Sequence, residues 1–452
     1  MSTVPIDNRL RRDAIAIWQA GVDAVNAQRL VKSVVRIKGN TLSIAGEQWA
    51  IDRVGRIAVV GGGKAGAGMA AGFEQAVGDD FLTSKVTGWV NVPADCVRPL
   101  KQLHLHPARP AGLNEPTEEG VLGAEKILKI VSQLSREDVC IVLLSGGGSA
   151  LLPAPVGGVS LSDKQVVTRG LMQAGASIDE LNCVRKHLSR IKGGRLAQAC
   201  TAGTIITLII SDVIGDPLDV IASGPTVADS TTAADALAVL QKFVPSMPDV
   251  PANIFEHLKE AAQNEDVSDQ PIQSSVRNVI IGNIDVAISA AAHEAAQRGY
   301  DVESLGGKNA GIAREVGMDL AERCLRNRNE GKGPRCMLSG GEPVVRLVAT
   351  DSPRLGGRNQ ELVLSAAERL WKEDASNLVI LSGGTDGEDG PTDAAGAFVD
   401  ASVLSTAHKL GINPSDYLAI NNSYPFFAST HGHLTTGPTH TNVMDLRVCL
   451  TG

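Results

Sequence analysis

Aromatic residues are scarce: Phe, Trp and Tyr together make up 3% of the 452 positions, against 48 glycines. That balance disfavours a β-sandwich or a coiled coil and suits sheets joined to helices by tight glycine turns. Excess positive charge is also lacking. A formal net charge of −8 argues against non-specific binding to nucleic acid or to an anionic membrane, so any cations that matter must act locally. The seven cysteines are odd in number, far apart and contain no C-x-x-C pair. Neither a disulfide framework nor a zinc ribbon is suggested, and a reducing, cytoplasmic setting fits. No apolar run is long enough to cross a bilayer. Met1 to Lys38 reads as an amphipathic helix around Ala14–Val35; its acids Asp7, Asp13 and Asp23 are unlike a transit peptide, and its apolar runs are too broken for a signal sequence.

A chain of this length, 43% hydrophobic and 20% charged, can bury a full core and is expected to divide into domains. Short β-branched runs recur, each ending in a glycine cluster and leading into a helical pattern. Arg56–Val60 precedes Gly61-Gly62-Gly63-Lys64, Val139–Leu144 precedes Ser145-Gly146-Gly147-Gly148-Ser149, Met337–Leu338 precedes Ser339-Gly340-Gly341, and Leu378–Leu381 precedes Ser382-Gly383-Gly384. This is the β-turn-α grammar of parallel sheets, and Thr204–Ile210 and Asn278–Ile281 add strands buried on both faces. Helices are predicted over Thr117–Leu134, Ser162–Ala174 with a capping box Ser162…Gln165, Asp285–Arg298, Ala310–Arg328 and Asn359–Glu373. The polar stretch Gln263–Ser275 is the expected boundary, dividing the chain into an α/β domain over 1–265 and another over 272–452. The fold class expected is α/β: two Rossmann-like domains with largely parallel sheets and a cleft between them. Ligands of such sheets bind beyond the carboxyl ends of the strands, where these glycine turns lie.

Gly61, Gly63 and Gly66 satisfy G-x-G-x-x-G between a strand and a helix, so a nicotinamide-binding fold has to be weighed. Its second requirement, an acid closing the next strand to hold a ribose hydroxyl, is not met: Lys85–Val92 ends in Asn91-Val92-Pro93. A Walker A loop fails too, because Ala65 follows Lys64 and the glycine spacing is wrong. Lys64 nevertheless stands at a helix N-terminus, where Gly62 and Gly63 leave backbone donors exposed to a phosphate and the ammonium adds a point charge; a structural glycine turn with a solvated lysine is the plainer reading.

Ser145, Gly147, Gly148 and Ser149 form a second turn of donors and hydroxyls suited to a carboxylate or phosphate. Arg185, Lys186, Arg190, Lys192 and Arg195 follow within fourteen residues with no acid among them. An exposed helix face explains such a run, but Gly193-Gly194 after it is a helix stop where cations can converge on an anion. Asp212 then sits at the carboxyl end of a buried strand and needs a partner, a metal or a substrate proton there, unless it only caps a turn. In the second half, Arg358 opens a helix whose dipole opposes its charge unless an anion is close, and Asn359 follows it. Asp386 and Asp389, in the acidic glycine loop after Leu381, are the candidate metal ligands, although turn propensity also accounts for such a loop. His104, His106, His431, His433 and His440 complete no recognisable zinc spacing and read as loop residues.

Taken together and in order, Val60-Gly61-Gly62-Gly63-Lys64-Ala65, Leu144-Ser145-Gly146-Gly147-Gly148-Ser149-Ala150, Asn182 to Ser189, Ile210 to Asp216, Gly357-Arg358-Asn359-Gln360-Glu361 and Ser382 to Gly387 resemble the class II glycerate 2-kinases, whose C-terminal half is the MOFRL domain. The likeness runs from about residue 10 to the end. The block Thr436 to Asp445 matches in outline but carries His440 where glycine is expected in many relatives. The resemblance implies ATP- and Mg²⁺-dependent phosphorylation of the 2-hydroxyl of D-glycerate by a monomer or homodimer, with glycerate and ATP as its small-molecule partners and with Lys64, Asp212 and Arg358 at the centre. Arg and Lys groups, Arg185 among them, are then expected to anchor the glycerate carboxylate, with Lys186, Asn359 and the two glycine turns also on substrate or phosphate. Two alternatives stay open at this level, an NAD(P)H-dependent hydroxypyruvate reductase and a non-catalytic sensor of phosphorylated acids.

Overall fold

The structure, a computed structural model, describes residues 6–247, 249–264, 271–331 and 333–452. It divides into two compact units: a larger one, residues 27–281, and a smaller one formed by residues 1–26 together with 282–452. The expected split at Gln263–Ser275 differs from this division, and positions 265–270 of that stretch lie outside the described residues. The first helix goes with the smaller unit, and the strand 275–282 extends the larger unit's sheet. Sequence polarity marks where the chain is exposed, whereas the division follows which apolar faces are buried together.

In the larger unit, the predicted single helix over Ala14–Val35 is broken. Helix Ile6–Ala24 ends in the smaller unit, a second helix runs over Ala27–Val34, and strand β1 (Val35–Lys38) follows at once. The alternation Val35-Arg36-Ile37-Lys38 and the turn Gly39-Asn40, with Gly39 at φ +57°, favour a hairpin over a further helical turn. β1, β2 (Thr41–Ile44) and β3 (Glu47–Ala50) make a small antiparallel sheet. The main sheet contains β4 (Ile57–Gly62), β5 (Val86–Pro93), β6 (Leu103–Arg109), β7 (Val139–Leu144), β8 (Thr204–Ile210) and β9 (Ser275–Gly282) in the order β6-β5-β4-β7-β8-β9. β6 to β8 pair in parallel. β4 and β7 are buried at every residue, as expected of central strands covered on both faces. The helix predicted over Ser162–Ala174 is Leu161–Gln173, and its capping box is Ser160 with Asp163, two residues before the expected pair.

The smaller unit carries β10 (Asp301–Ser304), β11 (Arg335–Gly341), β12 (Leu378–Gly384), β13 (Gly396–Asp400), β14 (His433–Leu434) and β15 (Asp445–Thr451), ordered β10-β11-β15-β12-β13-β14. The α/β class holds, but this sheet is mixed: only β10 and β11 pair in parallel, and the last strand runs antiparallel between β11 and β12. Helix Ile6–Ala24 closes this unit's core. Trp18 is fully buried, with Nε1 donating to the Gly383 carbonyl at 3.3 Å, and Arg11 makes a two-pronged bond to the buried Asp400 at 2.7 and 2.8 Å. No helix among the described residues is long and apolar enough to cross a membrane.

Candidate active site

In the larger unit the strand order reverses between β4 and β7, because the chain builds outward to β6 on one side and to β9 on the other. This is a topological switch point, where α/β sheets open a crevice beyond the strand ends. Register aligns the ends: Gly62 lies opposite Leu144, and Leu144 opposite Ile209. Lys64, the turn 145–149 and Asp212 therefore emerge from one edge of one sheet.

The two glycine turns lock together. Lys64 N donates to the Gly146 carbonyl at 2.8 Å and Ala65 N to Ser145 Oγ at 3.0 Å. A side chain on Gly63 would overlap Ser145, and Gly148 has no room against Ala222 and the Gly62 carbonyl. Gly147, at φ +75°, takes the left-handed conformation that glycine adopts without cost. It lies against the stem of Lys64 and the guanidinium of Arg109, a buried cation that the sequence motifs did not single out. Ser145 is thus a brace between turns, with its hydroxyl used internally, and Gly62, Gly63 and Gly148 are required by close approach of backbone.

Ser149 is the hub. Arg185 Nη2 donates to Ser149 Oγ at 2.7 Å, Lys192 Nζ donates to the same hydroxyl and to the Ser149 carbonyl at 2.9 Å, and Ser223 Oγ lies 3.2 Å from the hydroxyl. The basic run is therefore split. Arg185 and Lys192 converge, while Arg195 Nη1 donates to the Lys186 and Lys192 carbonyls, and Arg190 pairs with Glu125 at the surface. Lys186, expected to share the anion with Arg185, is buried and directed instead to Asp229 at 3.4 Å and Asp219 at 3.7 Å. Adjacent positions on a helix point about 100° apart, so the two cannot serve one ligand equally. Asp212 is half-buried, two residues beyond the end of β8.

Lys164, from helix Leu161–Gln173, joins Arg185, Lys192 and Ser149 in lining a cavity of about 640 Å³. Burial first, then the charges of Arg185 and Arg195, pull its pKa down to about 7. Lys192 is lowered well below its ordinary value by burial and by Arg185 and Lys164, and Arg185 is lowered by burial. Lys164 carried no signal in the sequence, since a lone lysine in an amphipathic helix reads as surface.

The candidates of the smaller unit behave differently. Arg358 opens helix Arg358–Leu370 as expected, but the anion beside it is the protein's own. Its guanidinium bonds Asp445 at 2.7 and 3.0 Å and Glu342 at 2.6 Å, and these carboxylates raise its pKa against the effect of burial. Asp389, expected as a metal ligand, is fully buried, and its two carboxylate oxygens accept from Asn359 N and Gln360 N, both at 2.9 Å, and from the two side-chain amides at 3.2 and 3.0 Å. It caps a helix, with both oxygens occupied. Burial pushes its pKa up to about 6, the two backbone N–H bonds holding it back and the Asp445 charge adding to the rise. Asn359, expected to touch substrate, is equally enclosed: its amide carbonyl accepts from Ser382 Oγ at 2.5 Å. Asp386 is half-buried in the loop, with Oδ1 accepting from Glu388 N at 3.1 Å. No group of three or more His, Cys, Asp or Glu among the described residues could hold a metal ion. The histidines read as loop residues are only partly so: His104 and His106 stand in β6, the first stacked on Trp89 and the second tilted against it, and His433 stands in β14.

Fold and site define a class, an α/β protein of two units that collects buried cations at the switch point of a parallel sheet. Residues 13–259 match the family described as a domain of unknown function (DUF4147), and residues 335–445 match the MOFRL family. A protein of Danio rerio named glycerate kinase is 36% identical over 98% of this chain and 97% of its own. The D-glycerate 2-kinase of Thermotoga maritima is 36% identical over 98% of both chains, and the crystal structure of the glycerate kinase from that organism superposes with a TM-score of 0.84, covering 98% of this chain and 100% of its own at 34% identity. A protein of Agrobacterium vitis, 40% identical over 88% of both chains, carries the provisional name hydroxypyruvate reductase. The chain belongs to the class II glycerate kinase family.

Proposed function

We propose that the chain is an ATP-dependent glycerate 2-kinase, transferring the γ-phosphoryl group of ATP to the 2-hydroxyl of D-glycerate to give 2-phosphoglycerate and ADP. What carries the reading is the alignment of Lys64, the Ser149 hub and Asp212 along one sheet edge, beside Arg185 and Lys192. The activity in the names of the Danio rerio and Thermotoga maritima relatives points the same way. In this reading Asp212 orients the 2-hydroxyl and takes its proton as the new P–O bond forms and the bond to the β-phosphate oxygen breaks. Lys64 meets the charge on the transferred group, and Arg358, in the smaller unit, is proposed as a further residue needed for turnover. Positioning and charge stabilisation are most of what phosphoryl transfer asks of a protein.

Mg²⁺ fits this chain as the counter-ion of the nucleotide better than as a resident ion. Asp389 is used up as a helix cap, whereas the half-buried Asp386 accepts from Glu388 N and is proposed as the acid nearer the ion. One or two carboxylates suffice where phosphate oxygens and water supply the remaining ligands. The ion would neutralise the polyphosphate; the side chains named above orient the hydroxyl and hold its proton.

The reductase reading lacks its ribose acid in three dimensions as well. Asn91, near the end of β5, is fully buried and its amide donates to the carbonyls of Leu151 at 2.8 Å and Gly120 at 3.3 Å. All seven cysteines are free thiols, which suits the reducing cytosol we propose as its location. The test is a coupled assay with product identification by ³¹P NMR. ADP release that depends on glycerate, with the phosphate on O2, is expected; NADH oxidation by hydroxypyruvate without ADP release would overturn the reading.

A further inference from the structure

The cavity beside Ser149 is divided in character. Its floor is cationic, with Lys164, Arg185 and Lys192, and its outer wall is apolar, with Leu113, Met172 and Ile178. Among the described residues no carboxylate pairs with any of the three cations, and the ammonium of Lys164, a residue 8% exposed, makes no hydrogen bond or ion pair. The carboxylate in the lining, Glu115, is exposed on the segment 112–116. That segment is tied down by Gln165 Nε2, which donates to the Pro116 carbonyl at 2.8 Å, so the wall is built. Lys164 and Lys192 are buried and Arg185 is half-buried, and cationic groups so placed are costly to keep charged without an anion.

We propose that this pocket seats the nucleoside triphosphate, its polyphosphate on Lys164, Arg185, Lys192 and the Ser149 hydroxyl and its base against Leu113, Met172 and Ile178. The assignment rests on the kinase reading above. Three observations favour a nucleotide over the hydroxy acid as occupant. A monocarboxylate can pair with one of the three cationic groups, whereas a triphosphate can pair with all of them and hold them in their charged forms. A three-carbon acid fills a small fraction of about 640 Å³, a volume in the range that holds cofactor-sized ligands. The exposed Met172 and Ile178 offer a polarisable, apolar surface that glycerate cannot use and a flat heteroaromatic ring can. Ser149 also belongs to the turn that packs on Lys64, so a chain of phosphates anchored here leads toward the reacting edge of the sheet.

The experiment measures binding of a fluorescent ribose-modified ADP to the full chain with Mg²⁺, displaced by inorganic tripolyphosphate, alongside the glycerate KM. Lys164→Met keeps the volume and removes a desolvated charge, so the variant folds, and Met172→Ser alters an exposed side chain. The expected result is that Lys164→Met weakens both ADP and tripolyphosphate by about tenfold or more, as loss of a charge-assisted phosphate contact does, and changes the glycerate KM less than about twofold. Met172→Ser weakens ADP alone. Should Lys164→Met leave nucleotide affinity intact, or raise the glycerate KM in its place, the assignment is overturned while glycerate-dependent ADP release still upholds the kinase. Nucleotide binding that follows the expected pattern without glycerate-dependent ADP release supports the pocket and overturns the kinase reading instead.

Discussion

Arg358 of the smaller unit and the Lys164, Arg185 and Lys192 group of the larger one are compensated in opposite ways. In the smaller unit Arg358 is matched by Asp445 and Glu342, Arg314 by Glu361 and Arg11 by Asp400, while the fully buried Arg447 bonds the Gly341 carbonyl. In the larger unit Arg185 and Lys192 rest on a serine, and Lys164 is buried beside them with no carboxylate paired to any of the three among the described residues. A neutralised cation is part of the fold and holds its shape without a ligand. An uncompensated buried cation costs stability until an anion arrives, and such a cost is tolerated where binding relieves it. The same residue type in two places thus carries two meanings.

The sharpest way to break the comparison is to remove one lysine and one arginine and read stability and rate together. Lys64→Ala is expected to keep the melting temperature and lose turnover by on the order of 10³-fold, as for loss of a group that stabilises transition-state charge. Arg358→Ala is expected to lose turnover as well, but also to unfold earlier. It strands the fully buried Asp445, and because Arg358 itself is 32% exposed the cost is expected below the roughly 3–5 kcal/mol of a fully buried pair. Equal melting temperatures in chemical and thermal denaturation would erase the distinction between the units.

Lys164 gives the next largest effect, and its sign follows from linkage. Its folded pKa of about 7 lies below the ordinary 10.5, so from pH 7 to 10.5 the unfolded chain binds more protons and stability rises with pH. The groups that bear on it are Arg185 and Lys192 in the cavity, Arg195 beyond them, and Glu115 and Arg169 on the rim. Lys164→Met is expected to stabilise the protein by at most on the order of 4 kcal/mol at pH 6, with the gain vanishing by about pH 10. A pH-independent gain in urea titrations would mean that packing, not charge, is what the substitution changes.

Asp389 and Asp386 extend the comparison to the acids. Asp389→Ala removes acceptors from two backbone donors at a helix start and is expected to cost about 2–3 kcal/mol while the Mg²⁺ dependence of the surviving activity stays as it was. Asp386→Ala is expected to leave stability unchanged and to raise the Mg²⁺ concentration needed for half-maximal rate. The reverse pattern would restore Asp389 as the ligand.

Much of the larger unit was legible because its signals are local. Val139–Leu144 and Thr204–Ile210 are continuous apolar runs of strand length, and the glycines after β4 and β7 are there for close backbone approach, so motif and geometry coincide. The site was legible where one residue type has one use at a strand end, as for Lys64. It was not legible where use depends on a partner distant in sequence. Asp389 is claimed by Asn359 and Gln360, Lys186 by Asp229, and Lys164 is recruited by Arg185 and Lys192 through folding alone. The mixed sheet was missed for a related reason. β15 is a continuous apolar strand like any parallel one, and only its pairing with β11 and β12 sets its direction.

His440 yields the smallest effect and the clearest link from sequence to backbone. It stands where glycine is expected in many relatives, and its φ is +58°, in the left-handed region that a side chain disfavours. The residue is exposed, so its side chain recovers little by packing. Relief of this strain in His440→Gly is partly offset by the greater freedom glycine gives the unfolded chain, leaving a net change of about 1 kcal/mol or less in either direction. The informative contrast is His440→Val, whose branched side chain fits φ +58° worst and is expected to cost roughly 1–2 kcal/mol more than glycine. If valine and glycine variants melt together, the segment relaxes freely in solution and its left-handed turn places no demand on the sequence.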